Sequence, residues 1–259
     1  MIFQNKTNQN GSKFSVLLIA VVAFISFSFA QDISIDEIIS KNIEARGGKA
    51  NWEKVKTIKM TGTYVNFSNP EEFVIYKQRP DLYRFDTERL NRFTIHAFDG
   101  KKAWWVNPLM GEQFAKPSFI PAEGNLAKVT LRERFFDPVF WNYKAKGNKI
   151  EFAGTENLDG EDVYKLKVIL KDKSVEFWYI SAETFLEVSM TGTTYDFGRA
   201  KSYEVFFSEY QKVENVMMPY LIESEYGIRY RSLEIKEIEI NKNVDASVFK
   251  KPDPATWKK

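Results

Sequence analysis

Hydrophobic positions along the chain follow three successive rhythms. Phe14 to Phe29 is an almost unbroken apolar run behind Lys6 and Lys13. Ile35, Ile38, Ile39 and Ile43 then fall at helical spacing, with Ser34 placed as N-cap, Glu37 at the capping-box position and Gly47-Gly48 as the stop. From Thr57 the period becomes two and holds for most of the remaining chain.

The period-two runs are rich in Val, Ile, Phe, Tyr and Thr. In the first half they predict strands at Thr57 to Phe67, Glu72 to Gln78, Leu82 to Asp86, Phe93 to Phe98, Ala103 to Val106 and Lys149 to Thr155. The second half adds Val163 to Leu170, Val175 to Ile180, Phe185 to Thr191, Ser202 to Val213, Met218 to Tyr226 and Arg229 to Ile240. Asp99-Gly100 and Asp159-Gly160 sit between alternating runs as hairpin turns do, so the topology reads as an antiparallel meander. Alternation also assigns faces. Ile58, Met60 and Tyr64 share one, as do Tyr164, Leu166, Val168 and Leu170; Leu186, Val188 and Met190; Tyr203, Val205 and Phe207; and Met218, Tyr220, Ile222 and Tyr226. In the last strand Leu233 and Ile235 are odd while Ile238 and Ile240 are even, and a bulge near Lys236-Glu237 would keep both pairs on one face.

Glu123 to Tyr143 breaks the alternation. Leu126 and Val129 are three apart, apolar area is concentrated in Phe135, Phe136, Val139, Phe140 and Trp141, and Asp137-Pro138 interrupts the run. It reads as a short apolar helix inserted into the sheet. So many antiparallel strands with one apolar face cannot remain a flat open sheet. They either stack as a filled sandwich or curve around the helical pieces as a broad, incomplete barrel with an apolar interior. The pattern by itself leaves both solutions standing.

Composition narrows the setting. The two lysines, the apolar run and Ser28-Phe29-Ala30 read as a signal peptide over residues 1–30, with an uncleaved N-terminal anchor as the alternative. The absence of cysteine excludes disulfides, thiolate metal sites, a cysteine nucleophile and the lipid-modified cysteine of an anchored lipoprotein. The chain has 37 basic and 35 acidic residues, and removing Lys6 and Lys13 with the signal leaves 35 of each. That balance predicts no nucleic-acid partner. No Pro/Gly/Ser-rich linker or charge block divides residues 31–259, which are expected to form one domain with an irregular tail from Lys251.

Candidate catalytic chemistry is sparse. His96 is the only histidine, and its parity is opposite to Phe93, Ile95 and Ala97, so it is predicted to point away from the main apolar face. A multi-histidine metal site is impossible, no acidic cluster has calcium-loop spacing, and Gly47-Gly48-Lys49 lacks the other elements of a phosphate loop. Glu71-Glu72, Glu161-Asp162 and Glu223/Glu225 could flank a glycosidic bond, but they read as solvated strand edges. Neither an enzyme nor a bound cofactor is expected.

Several stretches are similar to a known family. Asn42-Ile43-Glu44-Ala45-Arg46-Gly47-Gly48 followed by Lys56-Thr57-Ile58-Lys59-Met60-Thr61-Gly62 resembles the start of the LolA-like superfamily of outer-membrane lipoprotein-sorting proteins. So do Arg79-Pro80-Asp81-Leu82-Tyr83-Arg84-Phe85, Phe98-Asp99-Gly100-Lys101-Lys102-Ala103-Trp104 running to Asn107-Pro108, Phe207-Ser208-Glu209-Tyr210 with Met218-Pro219, and Ile240-Asn241 with Val248-Phe249-Lys250-Lys251-Pro252. The resemblance spans essentially all of residues 31–259. It implies a mostly β fold with two short helical segments, in which a curved antiparallel sheet forms an incomplete half-barrel with a helical lid over an apolar cavity.

The resemblance also implies a function: a soluble periplasmic carrier, a monomer, that binds the acyl chains of lipoproteins or lipids between an inner-membrane donor complex and an outer-membrane acceptor. On this chain, Ile35, Ile39, Leu126, Phe135 and Phe136 would belong to the lid. Ile58, Met60, Tyr64, Trp104, Leu166, Val168, Leu186, Val188, Met190, Tyr203, Val205, Phe207, Tyr220 and Ile222 would form the wall. The family's carrier holds its lid shut with an arginine, for which Arg79 and Arg84 are the candidates. Burial of an acyl chain contributes about 0.8 kcal/mol per methylene and needs no nucleophile. A competing reading is an envelope binding or sensing module that contacts a protein or glycan through outward aromatics of Trp104-Trp105 and Phe206-Phe207.

Overall fold

The structure is a computed structural model and describes residues 33–66, 69–89, 92–107, 118–121, 136–196, 199–226 and 229–253. The expected signal peptide, Leu126 and Phe135 lie outside these residues.

Helix α1 (Ile35–Ala45) begins as its sequence requires: Ser34 is extended and its hydroxyl accepts the Glu37 backbone N–H at 3.2 Å. It ends in a Schellman-type turn, Gly47 N–H bonding Glu44 O and Gly48 N–H bonding Ile43 O. Gly47 has φ +106°, and a Cβ there would meet the Asn215 carbonyl at 2.3 Å. A second short helix, α2 (Lys49–Lys54), follows at once. It was hidden in the sequence because only Trp52 of its six residues is buried.

The strands are β1 (Thr57–Asn66), β2 (Asn69–Gln78), β3 (Leu82–Arg89), β4 (Arg92–Phe98), β5 (Ala103–Asn107), β6 (Ser118–Pro121), β7 (Lys149–Leu158) and β8 (Glu161–Ile169). They continue as β9 (Val175–Ser181), β10 (Glu187–Asp196), β11 (Arg199–Ser208), β12 (Gln211–Val213), β13 (Val216–Met218), β14 (Leu221–Tyr226) and β15 (Arg229–Ile240). Thirteen of them form one antiparallel sheet in the order β6-β5-β4-β3-β2-β1-β15-β14-β11-β10-β9-β8-β7. Two meanders, β1–β6 and β7–β11, therefore run to opposite edges and are joined in the middle by β14 and β15. The sheet curves without closing, giving a half-barrel rather than a sandwich.

Two predicted strands are each broken in two. Ser202 to Val213 divides into β11 and β12 at Glu209, whose φ is +53°, and Met218 to Tyr226 divides at Pro219-Tyr220. The β12–β13 hairpin thereby leaves the main sheet. The expected bulge in the last strand is present: Thr61 pairs with Glu237 and Gly62 with Ile235, so Lys236 is the extra residue. Gly62 is required opposite it, since a Cβ there would lie 2.1 Å from Glu234 O.

The register puts Met60, Ile75, Phe85, His96 and Trp105 in one row across β1–β5, and Val205, Met190, Trp178 and Leu166 in another across β11–β8. These rows lie on the concave face, where the helices pack. Two large buried clusters share that face. One joins Trp52, Ile58, Met60, Phe73, Ile75, Val216, Met218 and the β15 isoleucines; the other joins Ile38 and Ile39 of α1 to Leu166, Val168 and Ile180.

Candidate functional site

The covering elements meet at Arg79, in the turn between β2 and β3. Its Nε donates to Val55 O at 2.7 Å, and one terminal nitrogen donates to Trp52 O at 2.8 Å and to Asp137 Oδ1 at 2.6 Å. The guanidinium also lies 4.5 Å from the Phe136 ring centroid and 5.5 Å from that of Trp141. One side chain thus joins the end of α2 to the inserted segment 136–147. Lys146 donates to Pro138 O beside it, and burial holds its ammonium pKa below the usual range despite nearby Asp137. The segment straddles both clusters: Phe136 and Trp141 enter the first and Phe140 the second.

The other candidate arginine sits elsewhere. Arg84 grips Asp86 with two nitrogens, at 2.6 and 2.8 Å, and donates to Val248 O at 2.8 Å. Burial raises the Asp86 pKa, and Arg84 opposes that rise. This arginine fastens the C-terminal 3-10 turn, Ala246–Phe249, to the convex face, in the region where Trp104 donates to Phe249 O at 2.9 Å.

Trp104 therefore does not join the concave wall; it packs on the convex side with Ile95, Ala97 and Val106. The expectation that His96 points away from the main apolar face is also corrected. It lies in register with Phe85 and Trp105 on the concave face, 6.2 and 6.0 Å from their ring centroids. The physical reason is the same for both residues: β4 and β5 carry apolar side chains on both faces, so parity there does not identify the concave one.

Of the other wall candidates, Ile58, Met60, Leu166, Val168 and Met190 are buried, and Tyr64, Tyr203, Val205, Phe207 and Ile222 are half-buried on the concave face. Ile39 and Ile35 of α1 pack on the second cluster. Leu186 and Tyr220 lie in turns, and Val188 is the residue left over at the register shift of β10. Phe207 stacks on Trp178 at 5.7 Å. A recess of about 300 Å³ lined by Glu44, Gly48, Asn51 and Lys212 contains none of these residues.

Two polar features of the concave face were not singled out from the sequence. Glu176, 3% exposed, accepts from the Trp178 indole at 2.9 Å and the Tyr203 hydroxyl at 3.4 Å. Arg231 stands opposite Asn66 and Ser224, with its Nε shielded and without a hydrogen-bond partner. His96, displaced mainly by burial and further by the Arg231 charge, has its pKa pushed down to about 4. In sheet order β3, β2 and β1 separate the strands carrying this pair. Among the described residues no group of His, Asp or Glu is gathered closely enough to hold a metal ion, and no helix is long and apolar enough to cross a membrane.

A DUF1329 family protein from Desulfovibrio piger matches this architecture with a TM-score of 0.58 at 13% identity, over 83% of this chain and 97% of its own. A LolA superfamily protein from Nitrosomonas europaea matches at 0.54 and 12%, over 85% and 98%; an outer-membrane lipoprotein-sorting protein domain from Vibrio parahaemolyticus matches at 0.54 and 10%, over 82% and 94%. The fold is LolA-like. No family model and no curated protein matches the chain. At these identities the likeness concerns the half-barrel and its covering helix, which is the part that the short sequence resemblances also anticipated.

Proposed function

We propose that this LolA-like chain is a soluble periplasmic carrier that takes up the acyl chains of lipids or lipoproteins, delivered after cleavage of residues 1–30. The observation that carries the reading is the concave face itself. Apolar side chains run along it from β4 to β8, and its half-buried middle is formed by Tyr64, Phe85, Val205, Phe207, Ile222 and Leu233. An acyl chain laid on this strip would remove apolar area from water on both sides, at about 25 cal/mol per Å². Arg79 is the lock of the cover in this reading. It binds carbonyls and Asp137 in the covering pieces, so their displacement must break its fork.

The surface-module reading keeps one of its four aromatics. Trp104 is buried and Trp105 and Phe207 are half-buried on the concave face, whereas Phe206, also half-buried, has the opposite parity and faces outward.

Native mass spectrometry of residues 31–259, purified from a bacterial periplasm without detergent, tests the carrier reading. The expected result is an adduct of lipid or acyl mass that solvent extraction releases. A bare mass that does not change on titration with any amphiphile overturns it. The Ile222→Asp variant places a charge in the strip and is expected to lose the adduct while remaining folded, because Ile222 is only half-buried.

A further inference from the structure

The apolar strip ends in a polar corner built by β1, β14 and β15. Arg231 faces Asn66 on one side and Ser224 on the other, and Leu233 and Tyr64 occupy the next position of the same face. Both the Arg231 Nε and the Asn66 Oδ1 are shielded from solvent, and neither has a hydrogen-bond partner. Glu71, beyond Tyr64 in the same row, forms no ion pair with Arg231. The charge is nevertheless felt across the lumen, since it helps to lower the pKa of His96 and opposes the burial-driven rise at Tyr64, to which Glu71 adds. A shielded donor on a full positive charge beside a shielded acceptor is costly unless a ligand completes both.

We infer that Arg231 and Asn66 form the headgroup site of the carrier, and that its occupant is a glycerophospholipid whose phosphate binds Arg231 while a headgroup N–H or O–H donates to Asn66. A fatty acid would satisfy the arginine but bring no donor. The acylated N-terminus of a lipoprotein could bring a donor but no phosphate. Ethanolamine and glycerol headgroups bring both. The acyl chains would run from this corner along Tyr64, Leu233, Ile222 and Phe207.

The inference rests on the carrier reading, and two measurements separate them. In the first, binding of lauroyl-lysophosphatidylethanolamine, laurate and uncharged monolaurin, equal in chain, is compared by calorimetry for the wild type, Arg231→Gln and Arg231→Lys. The phospholipid is expected to bind tightest, Arg231→Gln to weaken it about tenfold, and Arg231→Lys to restore part of the loss, with monolaurin unchanged throughout. Laurate binding tighter than the phospholipid would overturn the headgroup assignment. So would monolaurin binding as tightly as the phospholipid, but the carrier reading would survive either result. If none of the three binds, both readings fall.

The second measurement uses the wild type and so does not depend on a variant's folding. His96 is the sole histidine, so its ring signals in NMR are unambiguous. An anion on Arg231 should raise the His96 pKa relative to the monolaurin complex. The same pKa in both complexes would overturn the site.

Discussion

The two ends of the covered face handle an arginine in opposite ways. At the β2–β3 turn, Arg79 has two carbonyls, a carboxylate and two aromatic rings around it. At the far corner, Arg231 keeps a shielded nitrogen without a partner. A guanidinium bonded to carbonyls and a carboxylate of its own chain is a fastening: it lowers the energy of the one arrangement that brings those acceptors together. One left incomplete in a partly dry position costs the free protein stability, and that cost falls when something binds. The contrast separates an arginine that ties elements of the chain together from one that, in the proposed reading, meets a ligand.

The largest break in this comparison should come from Arg79→Ala. It frees the Trp52 and Val55 carbonyls and strands Asp137, so chemical denaturation is expected to show a loss of about 3 kcal/mol. Arg79→Lys should recover only part of it, because an ammonium cannot reproduce the fork.

Acid should produce the next largest effect. The folded state holds His96 neutral down to about pH 4, whereas the unfolded chain takes up a proton near the ordinary value of 6.5. The unfolded state therefore binds more protons between those values, and stability falls as pH drops from 6.5 to 4 and levels off below. The contribution is on the order of 2 kcal/mol after allowing for the ring's partial exposure. Denaturation midpoints across that window should show the slope in the wild type and lose it in His96→Phe.

Arg84→Ala should cost about 1 kcal/mol, releasing the Val248 carbonyl and leaving Asp86 with a pKa higher still. Hydrogen exchange at Ala246–Phe249 would report the loosened turn.

The smallest stability change belongs to Arg231→Gln, expected to be a slight gain of up to about 0.5 kcal/mol, because no bond is lost and a shielded unpaired donor is removed. Its signature lies elsewhere: removal of a like charge should raise the His96 pKa in the free protein. A stability loss as large as that of Arg79→Ala would mean that Arg231 is a fastening too, and the contrast between the two ends would collapse.

Much of the wall was legible in the chain. Strict alternation in β1, β8, β11 and β14 assigned Met60, Leu166, Val205 and Ile222 to one face, because a half-covered sheet rewards only one parity. The parity slip of β15 located its bulge for the same reason. Reading failed in β4 and β5, where the C-terminal turn covers the convex side and makes both parities apolar; Trp104 and His96 were exchanged between faces as a result. Short β12 and β13 were absorbed into longer runs, since alternation continues through the turns that separate them.

By itself, then, the local period of apolar residues, with caps and turns within a few positions, determined an antiparallel meander that must curl or stack, the helix that opens it, the bulge in its last strand and the residues that share a face along most strands; only the family resemblance chose the half-barrel over a sandwich. Tertiary structure alone decided which of two candidate arginines joins α2 to the segment 136–147, which face β4 turns inward, and that Arg231 lies on the concave face with a nitrogen unused. Those outcomes depend on partners far away in sequence, Asp137 for Arg79, Val248 for Arg84 and the space across a curved sheet for Arg231, and no local pattern encodes a partner that only folding brings near.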